Sequence, residues 1–210
     1  MSILISTPCY GGTCTTAYLV SCMRLQEELI KASVDHDFNF GRNESLITRA
    51  RNEMAGWFLK TRFDCHLWID ADIEFSVEDV GKLWSLCQNG ADIAVAAYSM
   101  KLPSKPLSAW KDGKLVKIEE CPKEPFEVDY AGTGFMMISR RVYEKLAKTV
   151  ETYEGPDGRV NAFFMTPIWN DGFESEDYHF CRRSREEGFK VMMDPSIRLG
   201  HIGQFRYGAD

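Results

Sequence analysis

Short apolar runs alternate with helical periods along the first hundred residues, and this alternation leaves few architectures open. Ile3–Thr7 is a β-branched run, and residues 15–32 carry helical spacing. Val34–Phe40 alternates with period two, which puts Val34, His36 and Phe38 on one face. Ser45–Lys60 predicts the clearest helix, because at 100° per residue Leu46, Ile47, Ala50, Met54, Trp57 and Phe58 share one side. A strand at His66–Asp70, a helix at Val77–Cys87 and a strand at Asp92–Tyr98 follow. This βαβαβαβ order predicts an α/β fold, with a mostly parallel central sheet sandwiched by helices.

After Tyr98 the rhythm breaks. Pro103, Pro106, Pro122 and Pro125 flank a predicted hairpin, Leu107–Trp110 and Leu115–Ile118, turning at Asp112-Gly113. Gly134–Ile138 reads as a buried strand, and residues 152–161, with Gly155-Pro156-Asp157-Gly158, as a flexible loop. A last helix starts near Ser175, and a strand at Phe189–Met193 leads into a tail containing His201. The 210 residues suit one domain, 1–210.

Bulk composition narrows the function. Hydrophobic residues make up 44% and charged residues 27%, a globular balance, and no run of eighteen apolar residues predicts a membrane span. The start, Met-Ser-Ile-Leu-Ile-Ser-Thr-Pro, has no basic segment before an apolar one, so no signal peptide is expected. Seven scattered cysteines without a C-x-x-C pair suit reduced thiols in a cytosol-like compartment. A net charge of −6 without basic runs argues against nucleic acid as a partner. A small anionic ligand stays open, because a divalent cation can supply the missing positive charge.

Five constellations could carry chemistry. His66-Leu-Trp-Ile-Asp70-Ala-Asp72 is an apolar strand ending in two carboxylates, and strand alternation would point both the same way. Such acids at the carboxyl edge of a parallel strand suit Mg²⁺ or Mn²⁺ bound with substrate phosphates. Fourteen Asp predict about one D-x-D triplet by chance, and Asp35-His36-Asp37 is a second copy, read as a solvated strand face. Opposite the apolar side of the 45–60 helix, Ser45, Arg49, Asn52 and Gly56 form a polar stripe that could clamp a base or phosphate. Equally, Arg49 could simply pair with Glu53 on an exposed face.

Gly132-Thr-Gly134 enters a strand and permits close approach of backbone to a ligand, or serves a turn. Ser175-Glu176-Asp177 suits a helix start, with Ser175 as N-cap, and Asp177 there could act as a base. Gly200-His201 places an imidazole in a glycine-flanked tail, where it could join carboxylates in holding Mn²⁺.

In this order and spacing the motifs resemble a GT-A-fold glycosyltransferase, from Ile3 to Gly203. The chain is particularly similar to the small glycosyltransferase domains of large algal viruses, the chloroviruses. The resemblance implies a nucleotide-binding half, 1–100, and an acceptor-binding half, 101–210. It implies that Thr7, Pro8 and Tyr10 meet the nucleoside, while Arg49 and Asn52 hold the base or diphosphate of a UDP-sugar. Asp70, Ala71 and Asp72 would form the D-x-D element, with Gly132 and Gly134 beside the donor. Asp72 and His201 would ligate Mn²⁺ (or Mg²⁺), and Asp70 would meet the ribose or the metal through bound water. Asp177 would be the general base of an inverting transfer of a hexose or deoxyhexose, and Glu176 an acceptor contact. The acceptor would be an oligosaccharide or a glycoprotein glycan, in a viral glycan pathway in the host cytoplasm.

Two rival readings are a sugar-1-phosphate nucleotidyltransferase and a non-catalytic carbohydrate-binding module. The first wants basic residues in its glycine-rich loop, yet none follows Cys9-Tyr-Gly-Gly-Thr-Cys14 until Arg24. The second wants exposed aromatics, yet Trp57, Trp68 and Trp84 fall on core-facing patterns.

Overall fold

A computed structural model describes residues 2–102 and 106–203. The first half runs β1 (Ile3–Cys9), α1 (Thr16–Lys31), β2 (His36–Arg42), α2 (Ile47–Lys60), β3 (Cys65–Ile69), β4 (Ile73–Glu74), α3 (Val77–Gln88) and β5 (Ile93–Val95). The second half adds the short strands β6 (Ala109–Lys111), β7 (Lys114–Leu115), β8 (Phe126–Val128) and β9 (Tyr130–Ala131). Then come β10 (Phe135–Ser139), α4 (Arg140–Leu146), the hairpins β11 (Thr152–Gly155) with β12 (Gly158–Asn161) and β13 (Ile168–Trp169) with β14 (Gly172–Phe173), and α5 (Glu176–Glu186). β15 (Val191–Met193) and β16 (Gly200–His201) close the described chain.

The central sheet has the order β2-β1-β3-β10-β5-β15-β8. Five of its seven strands run the same way, and β10 and β8 oppose them. The mostly parallel α/β sandwich expected from the sequence is present. The insertion of antiparallel β10 between β3 and β5 was not expected. Side-chain alternation along the strands splits the core in two. Ile3, Ile5, Leu67, Ile69 and Met137 face Tyr18, Leu25, Val80 and Leu83 of α1 and α3. Leu4, Trp68, Met136 and Ile138 face Met54, Phe58, Tyr143 and Phe180 of α2, α4 and α5. Strands buried on both sides read as continuous apolar runs, which is why β3 and β10 were legible.

Local signals account for the starts of α1 and α3. Thr15 accepts the Tyr18 N–H at the start of α1 (3.2 Å). Ser76 and Asp79 form a reciprocal capping box at α3, satisfying two orphan backbone donors. His66 sits in the core, its Nε2 2.7 Å from Ser6 Oγ and its ring stacked on Phe58, and burial holds it neutral, far below its usual pKa.

Three expectations need correction. Residues 152–161 are not a loop but the β11–β12 hairpin, with Gly158 at φ 104° in its turn. Val160 of that hairpin is buried and lies over Gly56, which draws the strands onto α2. The hairpin expected at 107–118 is shorter, β6 with β7, with Asp112 and Gly113 at φ 50° and 72° in its turn. Pro103 lies outside the described residues. The buried face of α2 is rotated by roughly 60° from the expected one at its 3.6-residue period. Leu46 and Trp57 are exposed, while Arg51, Asn52 and Ala55 are buried.

Candidate active site

The carboxyl edge of the sheet opens on a cleft of about 950 Å³. Its lining includes Pro8 near the end of β1 and Tyr10 after it, Arg51 of α2, Asp70–Asp72 after β3, Tyr98 and Lys101 after β5, and Glu176 and Asp177 of α5. Ligands bind at such an edge because strand ends expose backbone groups there and helices begin there.

Asp70 and Asp72 do not continue β3. The chain turns at Asp70, where its carbonyl accepts the Ile73 N–H (3.1 Å), and the two carboxylates diverge. The same-side geometry expected from strand alternation is therefore absent. Thr15 holds the turn by donating from its N–H (2.9 Å) and hydroxyl (3.3 Å) to the Ala71 carbonyl.

Asp70 Oδ1 accepts from Arg51 Nη2 (3.0 Å), and Arg51 Nε reaches Glu176 Oε1 (3.4 Å). Arg51 is 3% exposed, its guanidinium lies 5.4 Å over the Trp68 ring, and its Nη1 has no hydrogen-bond partner among the described residues. Burial opposes its charge, but the carboxylates of Asp70 and Glu176 outweigh that and keep it protonated. Arg51 ties α2, the turn after β3 and the start of α5 together, and sequence reasoning missed it. The available signal was a charged residue within the true apolar face, one turn before Ala55.

Asp72 points the other way. Its Oδ2 accepts from Lys101 Nζ at 2.5 Å, and its Oδ1 lies 3.6 Å from His201 Nε2. β16 pairs antiparallel with β4, and the Ile202 N–H donates to the Asp72 carbonyl (2.9 Å), so His201 arrives beside the turn. Burial alone would raise the Asp72 carboxyl, but His201 and Lys101 overcome it and hold the carboxyl below its usual range.

The pair fits a divalent ion. His201 Nδ1 lies 2.8 Å from the Ser99 carbonyl, which only accepts, so that nitrogen carries the proton. In its neutral form the ring would turn the Nε2 lone pair toward a carboxylate oxygen, and a cation between the two would join them. Metal-binding histidines are oriented by such a second hydrogen bond. Asp70, engaged by Arg51, does not converge with them, and no cluster of three or more His, Cys, Asp or Glu suited to a metal occurs among the described residues. One carboxylate and one imidazole leave the remaining positions to substrate oxygens and water, as hard cations bound with phosphates require.

Asp177 stands at the start of α5, accepting from the Ser175 hydroxyl and the Tyr178 N–H (2.9 Å). Ser175 thus spends its hydroxyl on Asp177, not on capping a backbone N–H as expected. Burial first, then the charge of Glu176, push the Asp177 carboxyl up to about 6. Glu174 braces the approach, accepting from both Arg182 Nε and Nη2 at 2.9 Å, with Arg182 stacked on Trp169 at 3.8 Å.

The other expected site residues fall elsewhere. Thr7 is fully buried and bonded to Tyr18 Oη (2.5 Å), behind the cleft. Arg49 points outward and pairs with Glu44, not Glu53. Asn52 is buried, its Nδ2 donating to the Phe164 carbonyl (3.0 Å) and its Oδ1 accepting the Phe164 N–H (2.7 Å), so it clamps chain, not ligand. Gly132 and Gly134 make room for the Tyr98 ring: a Cβ on either would sit 2.5–2.8 Å from its atoms. Asp35, just before β2, pairs with Arg62 at the surface, as a solvated decoy should.

No protein-family model and no curated protein sequence matches the chain. Solved structures do. A197 from the virus STIV aligns with 97% of this chain and 87% of its own at TM-score 0.63 and 19% identity. The catalytic domain of Drosophila beta1,4-galactosyltransferase 7, crystallised with xylobiose, aligns with 97% of this chain and 71% of its own at 0.56 and 11%. GalNAc-T7, crystallised with UDP, GalNAc and Mn²⁺, aligns with 97% of this chain and 44% of its own at 0.54 and 14%. The fold is GT-A. At these identities the likeness is one of architecture, and its structural neighbours are glycosyltransferases. Within this GT-A sheet the cleft lies at the strand edge where Asp70, Asp72, Glu176 and Asp177 gather.

Proposed function

We propose that this protein is a glycosyltransferase that moves a hexose or deoxyhexose from a UDP-sugar to a hydroxyl of a glycan acceptor, with inversion. The observation that carries the reading is one cleft holding both an Asp72/His201 pair facing across a cation-sized gap and a carboxylate, Asp177, raised to about 6. Residues 1–100 form the nucleotide half and 101–210 the acceptor half of this proposal, and the viral glycan pathway belongs to it as well. Among the described residues no helix is long and apolar enough to cross a membrane.

Pro8 and the 74%-exposed Tyr10 offer the nucleoside an edge and a ring at the cleft mouth. Asp72 and His201 would hold Mn²⁺ or Mg²⁺, which supplies positive charge to the departing diphosphate. Arg51, buried and charged, adds a fixed electrostatic contribution from beneath Asp70. Asp177 accepts the proton from the acceptor hydroxyl as that oxygen bonds to the anomeric carbon and the UDP bond breaks. Its raised pKa makes it a stronger base than an ordinary aspartate while leaving it mostly ionised above pH 6. Glu176, held by Arg51, orients the acceptor beside it.

The test is UDP release from a panel of UDP-sugars with Mn²⁺ and glycan acceptors. Asp72→Ala and His201→Ala should each abolish release, and Asp177→Asn should lower transfer about 10²- to 10⁴-fold. NMR of the product should show the inverted anomer. Release that survives Asp72→Ala and His201→Ala unchanged would sink the metal assignment.

A further inference from the structure

Lys101 enters the cleft from the segment after β5 and places Nζ 2.5 Å from Asp72 Oδ2. The other oxygen of that carboxylate faces His201 Nε2. An ammonium therefore already neutralises the carboxylate that a divalent ion at Asp72 and His201 would need. Residues 99–101 serve both partners: the Ser99 carbonyl fixes His201 Nδ1, and Lys101 covers Asp72. The segment is itself pinned, since the Met100 N–H donates to the Pro106 carbonyl (2.8 Å) and Ser99 bridges to Leu107.

The lysine's surroundings allow it to leave. Its side chain is 42% exposed, and Asp72 is the one carboxylate its ammonium meets among the described residues. Lysine is a compact charge on a flexible stem, with none of the planar fork that locks an arginine to a carboxylate. Lys101 and Asp72 line the same cleft as Tyr10, Arg51 and Asp177, so an anion bound there lies within the lysine's sweep.

We propose that Lys101 is a stand-in cation: it neutralises Asp72 in the ligand-free protein, competes with a divalent ion for that carboxylate, and transfers to the donor diphosphate when nucleotide arrives. The inference rests on the reading of Asp72 and His201 as metal ligands. Its consequence is coupling, in which nucleotide gives the lysine another anion, frees Asp72 and tightens metal binding, and metal tightens nucleotide by the same factor. In the absence of nucleotide the pair Asp72–Lys101 carries no net charge, so the site attracts a cation weakly.

The experiment measures Mn²⁺ binding by the electron paramagnetic resonance signal of the free ion, on the purified full chain, with and without UDP. Wild type should bind Mn²⁺ weakly alone and about tenfold or more tighter with UDP. Lys101→Met, which keeps the stem and removes the charge, should bind Mn²⁺ alone about tenfold tighter than wild type, with the UDP effect cut to about threefold or less. Lys101→Arg, whose fork holds a carboxylate more firmly, should bind Mn²⁺ alone no tighter than wild type and show a smaller UDP effect. If Lys101→Met binds Mn²⁺ alone no tighter than wild type, the competition is refuted. Asp72→Asn separates the two ideas: Mn²⁺ binding equal to wild type in that variant would overturn the metal reading itself. The half-exposed position leaves folding intact, which circular dichroism of each variant checks.

Discussion

Asp177→Asn should make the protein more stable while it destroys transfer. Folding raises this carboxyl from 3.8 to about 6, so the folded state binds its proton more tightly than the unfolded chain does. The stability this group gives is therefore full below pH 3.8 and is lost as pH rises toward 6. At about 1.4 kcal/mol per pH unit the full effect is about 3 kcal/mol. The carboxyl opens on the water of the cleft, which screens it, and about half that value is expected. Asparagine accepts the same hydrogen bonds from Ser175 and Tyr178 and carries no charge beside Glu176. The variant should thus gain about 1.5 kcal/mol at pH 7.5 and about 0.5 kcal/mol at pH 4.5. For a chain of this size that is a rise in Tm of about 3–6 °C at pH 7.5 and about 1–2 °C at pH 4.5. Calorimetry of both proteins in chelator at the two pH values is the assay, and effects of other groups cancel in the difference. A gain that is absent at pH 7.5, or that is larger at pH 4.5, would refute the reasoning. Transfer by the wild type should rise with pH along a limb centred near 6 in kcat/KM.

The remaining predictions concern α2 and the glycines. Arg51→Met leaves Asp70 and Glu176 facing each other without their shared cation, and should cost about 3–5 kcal/mol in urea unfolding. Asn52→Ala removes both bonds to the Phe164 backbone and should cost about 2–3 kcal/mol in urea unfolding, yet leave the UDP affinity of the folded fraction, by calorimetric titration, within about twofold. Gly134→Ala drives a Cβ into the Tyr98 ring and should lower both Tm and transfer. Gly81→Ala, in the middle of α3 with open space around it, should stabilise by about 0.5–1 kcal/mol and leave transfer unchanged.

Periodicity made the first half legible because buried parallel strands and their covering helices carry strong one-dimensional patterns. β1, α1, β2, α2, β3, α3 and β5 all lie within a few residues of where spacing placed them. Asp70, Asp72, Glu176 and Asp177 could be named because their positions at strand and helix ends are local facts. The sequence alone thus determined the alternating α/β order, the acids at the ends of β3 and α5, and the solvated setting of the Asp35–Asp37 copy. What each acid touches was decided only by tertiary structure. A turn of roughly 60° about α2 exchanged Asn52, expected at the ligand, for Arg51. Strand β16, two residues long, brought His201 more than a hundred residues back to Asp72, and a segment with no motif supplied Lys101. Such pairings depend on which face of a helix meets the sheet and which distant strands adjoin, and no local spacing records either.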